Sequence, residues 1–263
     1  MKVEGYRITL SQPKHSIFNF QPSTNMNIAL IGYGKMGKAI EEIALQRGHT
    51  IVLKIDVDNA DQFTKENLAK ADVAIEFTGP YSAFENVKKL MQFGAATVCG
   101  STGWLEKLDE IERDCKKNSA AFLYASNFSV GVNIFFEVNK RLASLMKDHQ
   151  DYEIQLTEIH HTAKKDAPSG TAITLAEQVL ERIPRKTKWA NHISDNPEEL
   201  EILSERIDPA PGTHKVKYSS GIDDIEIVHT AHTRKGFALG AVLAAEFLKG
   251  KKGIYSMKEV LGL

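Results

Sequence analysis

Apolar positions in the first half of the chain fall in short runs, separated by longer stretches of helical period. Residues 27–31, Asn-Ile-Ala-Leu-Ile, form one such run, too short for a helix and followed by a glycine-rich segment. A helical repeat covers residues 39–46, and a second strand-like run covers residues 50–55. The alternation continues: strands are predicted over residues 72–77, 96–99 and 121–124, and helices over residues 81–93 and 105–118. Strand and helix in turn predict a parallel sheet with helices packed on its faces.

After a long helix at residues 130–146 the pattern changes. Residues 151–160, 201–207, 214–220 and 222–232 alternate in polarity like strands, with one helical repeat at residues 172–180 among them. That predicts a second unit built on a mixed or antiparallel sheet. Residues 186–197 read as a loop, residues 236–248 as a helix, and residues 254–261 as a short last helix.

The segment between the first strand and first helix is Gly32-Tyr33-Gly34-Lys35-Met36-Gly37. A GxGxxG in that position is a dinucleotide fingerprint: Gly32 allows the tight turn, Gly34 lets backbone approach a pyrophosphate, and Gly37 lets helix and strand pack closely. Asp56 ends the second strand, where an acid bonds the adenosine ribose. Asp56 repels a 2′-phosphate and Val57 offers it no cation, which favours NADH, although Lys35 is within reach of NADPH's phosphate. The other strand exits carry Thr78-Gly79-Pro80, Gly100-Ser101-Thr102-Gly103 and Ala125-Ser126-Asn127-Phe128. Ligands of a parallel sheet lie at such carboxyl ends, so the nicotinamide ribose is expected there. The expected fold class is α/β: a Rossmann-type nucleotide-binding domain plus an α+β substrate domain with a mixed sheet. The expected division is an extension (1–25), a dinucleotide-binding domain (26–128), a substrate-binding domain (129–235), and a C-terminal segment (236–263) returning to the first domain.

The densest chemistry is in Glu158-Ile159-His160-His161-Thr162-Ala163-Lys164-Lys165-Asp166-Ala167-Pro168-Ser169-Gly170-Thr171-Ala172. It begins on a strand and ends in a helix, so proton donors sit beside free backbone N–H groups suited to an anion. Acid–base work on a carboxylate-bearing molecule is implied. Adjacent strand residues point to opposite faces, which makes one of the two histidines a supporting residue. No HExxH or Cys/His spacing completes a zinc shell, so no metal is expected.

Composition removes other classes. With 33 basic and 34 acidic side chains, the net charge of -1 gives no reason to expect nucleic-acid or membrane partners. Cys99 and Cys115 do not make a disulfide framework, which fits a reducing cytoplasm. No apolar run approaches a membrane span, and residues 1–25 hold no apolar core of a secretory signal; Met26, immediately before the first strand, is the expected start of the fold.

The chain resembles the 4-hydroxy-tetrahydrodipicolinate reductase (dihydrodipicolinate reductase) family over residues 26–263. The block from Glu158 to Ala172 is the most specific element of that resemblance. The GxGxxG, Gly100-Ser101-Thr102-Gly103, the segment from Asn127 to Asn133, and Arg206 through Gly212 to His214 support it. The resemblance implies NAD(P)H-dependent reduction of a cyclic dicarboxylate in lysine biosynthesis, by a cytoplasmic homotetramer joined through the substrate domains' sheets. It also implies roles: His160 as general acid/base, Lys164 as cationic proton donor, His161 on substrate, and Gly170 and Thr171 on a substrate carboxylate. The expected cofactor set, from the glycine loop, Asp56 and the strand exits, is Gly32, Gly34, Lys35, Met36, Gly37, Asp56, Gly100, Ser101, Thr102, Ala125, Ser126, Asn127 and Phe128. A different two-domain dehydrogenase would keep the front half without the His160 block, and a non-catalytic dinucleotide sensor would have little use for that block.

Overall fold

A computed structural model describes residues 25–263 except Arg234; the predicted extension therefore lies outside the described residues, Asn25 apart. The first half runs β1 (Asn27–Ile31), α1 (Lys35–Gln46), β2 (Thr50–Ile55), α2 (Lys65–Leu68), β3 (Val73–Glu76), α3 (Ala83–Gln92), β4 (Ala96–Cys99), α4 (Leu108–Lys117) and β5 (Ala121–Tyr124). Then follow α5 (Val130–Met146), β6 (Glu153–His160), α6 (Gly170–Leu180), β7 (Lys188–Ala190), β8 (Glu199–Arg206), β9 (Gly212–Ser219) and β10 (Asp224–Ala231). The chain closes with α7 (Lys235–Leu248), β11 (Gly253–Tyr255) and α8 (Met257–Leu261).

The first sheet has the order β11-β5-β4-β3-β1-β2, and every pair in it is parallel. Its strands are apolar on both faces because helices cover both. Along β1 the alternation is visible: Ile28 and Leu30 join the core under α1 and α7, whereas Ala29 and Ile31 join the core under α3 and α4. The second sheet has the order β10-β9-β6-β8-β7 and is mixed, with β6, β7 and β8 parallel and β9 antiparallel to both its neighbours. Only one face of it is apolar. Ile154, Leu156, Val216, Tyr218, Leu200 and Ile202 pack there against α5 and α6.

Two expectations needed correction. The predicted loop at residues 186–197 contains β7, which adds in parallel to the free edge of β8. The predicted helix at residues 254–261 is instead β11 followed by α8, because the chain first pairs with the free edge of β5. Both strands have three residues, too few for side-chain period to declare them; backbone pairing with a distant edge makes them strands. The turn of 3-10 helix at Val57–Gln62 and the helix α2 were not anticipated either.

Helix α7 carries few polar residues and is buried on most of its surface, as such a helix must be. It lies against α1 and the first sheet so closely that a Cβ on Gly240 would stand 1.7 Å from the Phe128 carbonyl oxygen. Gly240→Ala is therefore expected to destabilise the protein by about 3 kcal/mol, the upper range for overpacking. Denaturant titration of the variant checks this, and a change below about 1 kcal/mol would contradict the close approach.

Candidate active site

The glycine loop forms as its residues dictate. Gly32 has φ +94°, and a Cβ there would meet the Phe77 carbonyl oxygen at 2.3 Å, so only glycine turns the chain at this point. Gly34 has open space where a Cβ would stand. It precedes α1, whose N-terminus has no side-chain cap, so its first N–H groups point outward. That arrangement fits a dinucleotide's pyrophosphate. Asp56 is exposed at the end of β2, where its Oδ1 accepts from the Val57 N–H (2.9 Å) and caps the following turn.

Three clefts share walls along the carboxyl ends of the first sheet. One of about 420 Å3 is lined by Gly32, Gly34, Asp56, Val57, Phe77 and Thr78 among others. A second, of about 310 Å3, is lined by Met36, Phe77, Gly100, Ser126, Phe128 and Phe237. The third, of about 670 Å3, includes Ser126 and Phe237 again and opens onto Thr102, Asn127, His160, His161, Lys164, Gly170 and Thr171. Phe77 thus joins the first to the second, and Ser126 and Phe237 join the second to the third. Lys35, Gly37, Ser101 and Ala125 line none of the three. Gly37 packs under the Gly32 carbonyl, and Ser101 is buried with its Oγ accepting from the Thr78 N–H (2.9 Å). A further cavity of about 450 Å3 lies on the polar face of the second sheet, away from these residues, and its Lys186 and Lys217 are paired with Glu153 and Asp224.

In the third cleft β6 delivers His160 as its last residue, buried, and the chain turns immediately afterwards. His161 lies beyond the strand, so strand alternation does not apply to it, and both histidines line the cleft. Lys164 Nζ is held by Asp166, at 2.8 and 2.7 Å from its two oxygens. That contact keeps the Asp166 carboxyl below its ordinary range. Ser169 caps α6, its Oγ accepting from the Ala172 N–H (3.2 Å), while Gly170 and Thr171 begin the helix at the cleft wall. The N–H groups of that first turn left free by the cap are suited to an anion. Asn127, in the segment that leaves β5, donates to Thr171 Oγ1 (3.3 Å) and ties the two walls together.

Several participants were not singled out from sequence. Glu158 has no exposed surface. Its Oε1 accepts from Ser204 Oγ (2.7 Å) and Arg206 Nη2 (3.1 Å), and its Oε2 accepts from the Ser169 N–H (3.0 Å). His160 Nδ1 stands 3.4 Å from Oε2, an electrostatic contact and not an aligned hydrogen bond. Burial alone pushes the Glu158 carboxyl up, but its contacts with His160, Ser169 and Ser204 outweigh that and hold it well below the carboxylate range. His214, on β9, pairs its Nε2 with Ser169 Oγ (3.1 Å) and presents its ring edge-on to His160, centroids 5.1 Å apart. Burial, then the neighbouring His160, push the His214 imidazole down to about 4. Glu158, His160 and His214 have ligand-type atoms within 4.8 Å of one another. Arg206 already supplies the positive charge to this carboxylate, and Ser169 engages His214, so the cluster reads as a hydrogen-bonded hub. In the first sheet, Glu76 is likewise buried and accepts from Cys99 Sγ (3.1 Å) and the Thr78 N–H (3.1 Å), bracing the strand exits under the first two clefts. The presence of Glu158 at the head of the motif was the available signal; nothing local pointed to His214 as its neighbour.

A Rossmann-type sheet whose glycine-loop cleft opens into a histidine–lysine pocket beside a second, mixed sheet marks an α/β oxidoreductase. Family models agree in detail: dihydrodipicolinate reductase, N-terminus, matches residues 26–128, and dihydrodipicolinate reductase, C-terminus, matches residues 131–261. A 4-hydroxy-tetrahydrodipicolinate reductase of Christiangramia forsetii is 50% identical over 238 residues, 90% of this chain and 98% of that protein. One of Methanocaldococcus jannaschii is 36% identical over 241 residues, 89% of this chain and 81% of that protein. The structure of a dipicolinate-bound dihydrodipicolinate reductase from Paenisporosarcina sp. TG-14 shares the fold, with TM-score 0.71 at 21% identity over 90% of this chain and 99% of that one. The chain belongs to the dihydrodipicolinate reductase family, whose members are pyridine-nucleotide-dependent reductases. Among the described residues no helix is long and apolar enough to cross a membrane.

Proposed function

We propose that this chain reduces 4-hydroxy-tetrahydrodipicolinate to tetrahydrodipicolinate, the reductase step of diaminopimelate and lysine biosynthesis, at the junction of the second and third clefts. The observation that carries the reading is continuity: the cleft under the glycine loop leads past Phe77, Ser126 and Phe237 to His160, Lys164 and the start of α6. The reduced nicotinamide supplies a hydride to the conjugated imine, and water is lost from the ring. Gly32, Gly34 and the first turn of α1 hold the pyrophosphate, and Met36, Gly100, Ser126 and Phe128 wall the nicotinamide end. Gly170 and Thr171 hold a substrate carboxylate with backbone N–H groups, and His161 lines the same pocket. Lys164 steadies negative charge and donates a proton, while His160 serves as general acid/base. The clefts between the units at 26–128 and 129–235 bring these groups together, with 236–263 returning to the first sheet.

The test is a coupled assay: freshly generated 4-hydroxy-tetrahydrodipicolinate is supplied, and NADH and NADPH absorbance are followed separately. Oxidation of either cofactor supports the reading. Binding of NADH without turnover would return the function to a sensor or another dehydrogenase.

NADH is the favoured cofactor, because Asp56 lines the adenosine end and Lys35, though exposed in the glycine loop, does not. Asp56→Ala is expected to weaken NADH about tenfold and NADPH much less, a difference of about 1.4 kcal/mol. Comparing the two cofactors in one variant cancels the lost cap at Val57. Equal losses would remove Asp56 from the ribose contact. A cytoplasmic homotetramer joined through the second sheet completes the proposal, and light scattering in solution tests the assembly.

A further inference from the structure

Along β6 the side chains of Ile154, Leu156, Glu158 and His160 face the same side, and all four are buried. The stripe is apolar for two positions and then carries a charge with no exposed surface. A buried carboxylate is costly unless its oxygens are fully engaged, and here they are engaged from three separate segments. Ser169 precedes α6, Ser204 and Arg206 lie on β8, and His160 is two residues along the same strand. Arg206 Nη2 also donates to the Asp166 carbonyl oxygen (2.7 Å), and the Asp166 carboxylate grips Lys164. His214 closes the hub from β9 through Ser169.

The consequence for His160 is geometric. Its Nδ1 is buried against the carboxylate, and Nε2 is on the Gly212 side, 3.2 Å from where a Cβ on that residue would stand. With a carboxylate oxygen 3.4 Å away, a lone pair at Nδ1 would face negative charge, so the tautomer with its proton at Nδ1 is favoured by charge, without an aligned hydrogen bond, leaving Nε2 as the nitrogen that exchanges protons. The same Oε2 that faces Nδ1 accepts the N–H of the residue capping α6, 3.0 Å away. We propose that Glu158 is a positioning residue that fixes the tautomer and orientation of His160 and the start of α6 from one buried carboxylate, so that the proton-exchanging nitrogen of His160 and the substrate-carboxylate seat keep a constant separation. The proposal rests on the reductase reading of this cleft.

Four measurements test it. In the unmodified protein, histidine 15N resonances followed with pH, with His160 assigned through His160→Gln, should show that the neutral form of the ring carries its proton at Nδ1; a neutral form protonated at Nε2 overturns the proposal. Glu158→Gln keeps size but sets an amide where acceptors are needed. It should lower kcat about 10- to 100-fold, the usual loss on removing a partner that orients a functional group, and raise the substrate KM, with the NADH Kd within about twofold. A merely structural residue would move NADH affinity and folded fraction together, and kcat within about threefold of the parent overturns the proposal. Should Glu158→Gln not fold, Glu158→Asp keeps the charge and withdraws it by one methylene. An unchanged kcat there is equally fatal. His160→Gln separates the two levels: its own normal turnover would remove the reductase assignment of His160, whereas its loss beside an active Glu158→Gln sinks only the positioning role.

Discussion

Lys164→Ala is expected to cut turnover by about 100- to 1000-fold while leaving NADH binding unchanged. The ammonium sits in the third cleft beside the start of α6, held by Asp166, and is distant in the chain from every residue of the glycine loop. A preorganised donor facing developing charge typically contributes about 3–4 kcal/mol. Removing it therefore lowers kcat much more than it changes cofactor affinity. Steady-state kinetics with generated substrate, beside NADH titration by fluorescence, separate the two. Turnover within about tenfold of the parent would show that Lys164 neither donates the proton nor steadies charge.

The second large effect is on stability in acid. An unfolded histidine takes up its proton near the ordinary value of 6.5, whereas folded His214 resists until about 4 because it is buried beside His160. Between those values the unfolded chain binds more protons, so stability rises with pH and is lost as the solution is acidified from about 6.5 to about 4. The gap amounts to roughly 3 kcal/mol at about 1.4 kcal/mol per unit. Burial also lowers His229, which adds in the same direction. Glu158 contributes at still lower pH: its folded carboxyl is held well down, so its share is present above the ordinary carboxylate value and disappears below it. Denaturant unfolding at intervals from pH 4 to 7 measures the slope, and His214→Asn should flatten it. An equal slope in the variant would assign the acid sensitivity to other groups.

The first sheet was readable because its strands are short continuous apolar runs bounded by glycine and polar turns, with helices of clear period between them. The glycine loop was equally readable, since its residues do their work within six positions. Strand ends were less sharp: β8 begins two residues earlier than the pattern suggested, and β10 begins two later. The helix predicted from residue 81 starts at Ala83, after a turn formed by Gly79 to Ser82. β7 and β11 carry no periodic signal, and each exists because an edge of β8 or β5 was available to pair with it.

The candidate cleft divides along the same line. Its principal residues share fifteen consecutive positions, so their proximity and their place at a strand-to-helix junction follow from sequence. The strand period, the cap at Ser169 and the loop glycines are local physics, and local physics is written in order along the chain. What holds those residues in place is not written there. Arg206 reaches Glu158 across 48 positions and His214 reaches Ser169 across 45. Which strands lie beside β6 was decided only when β8 and β9 paired with it, because backbone hydrogen bonds join segments by edge and register, whatever their separation in sequence.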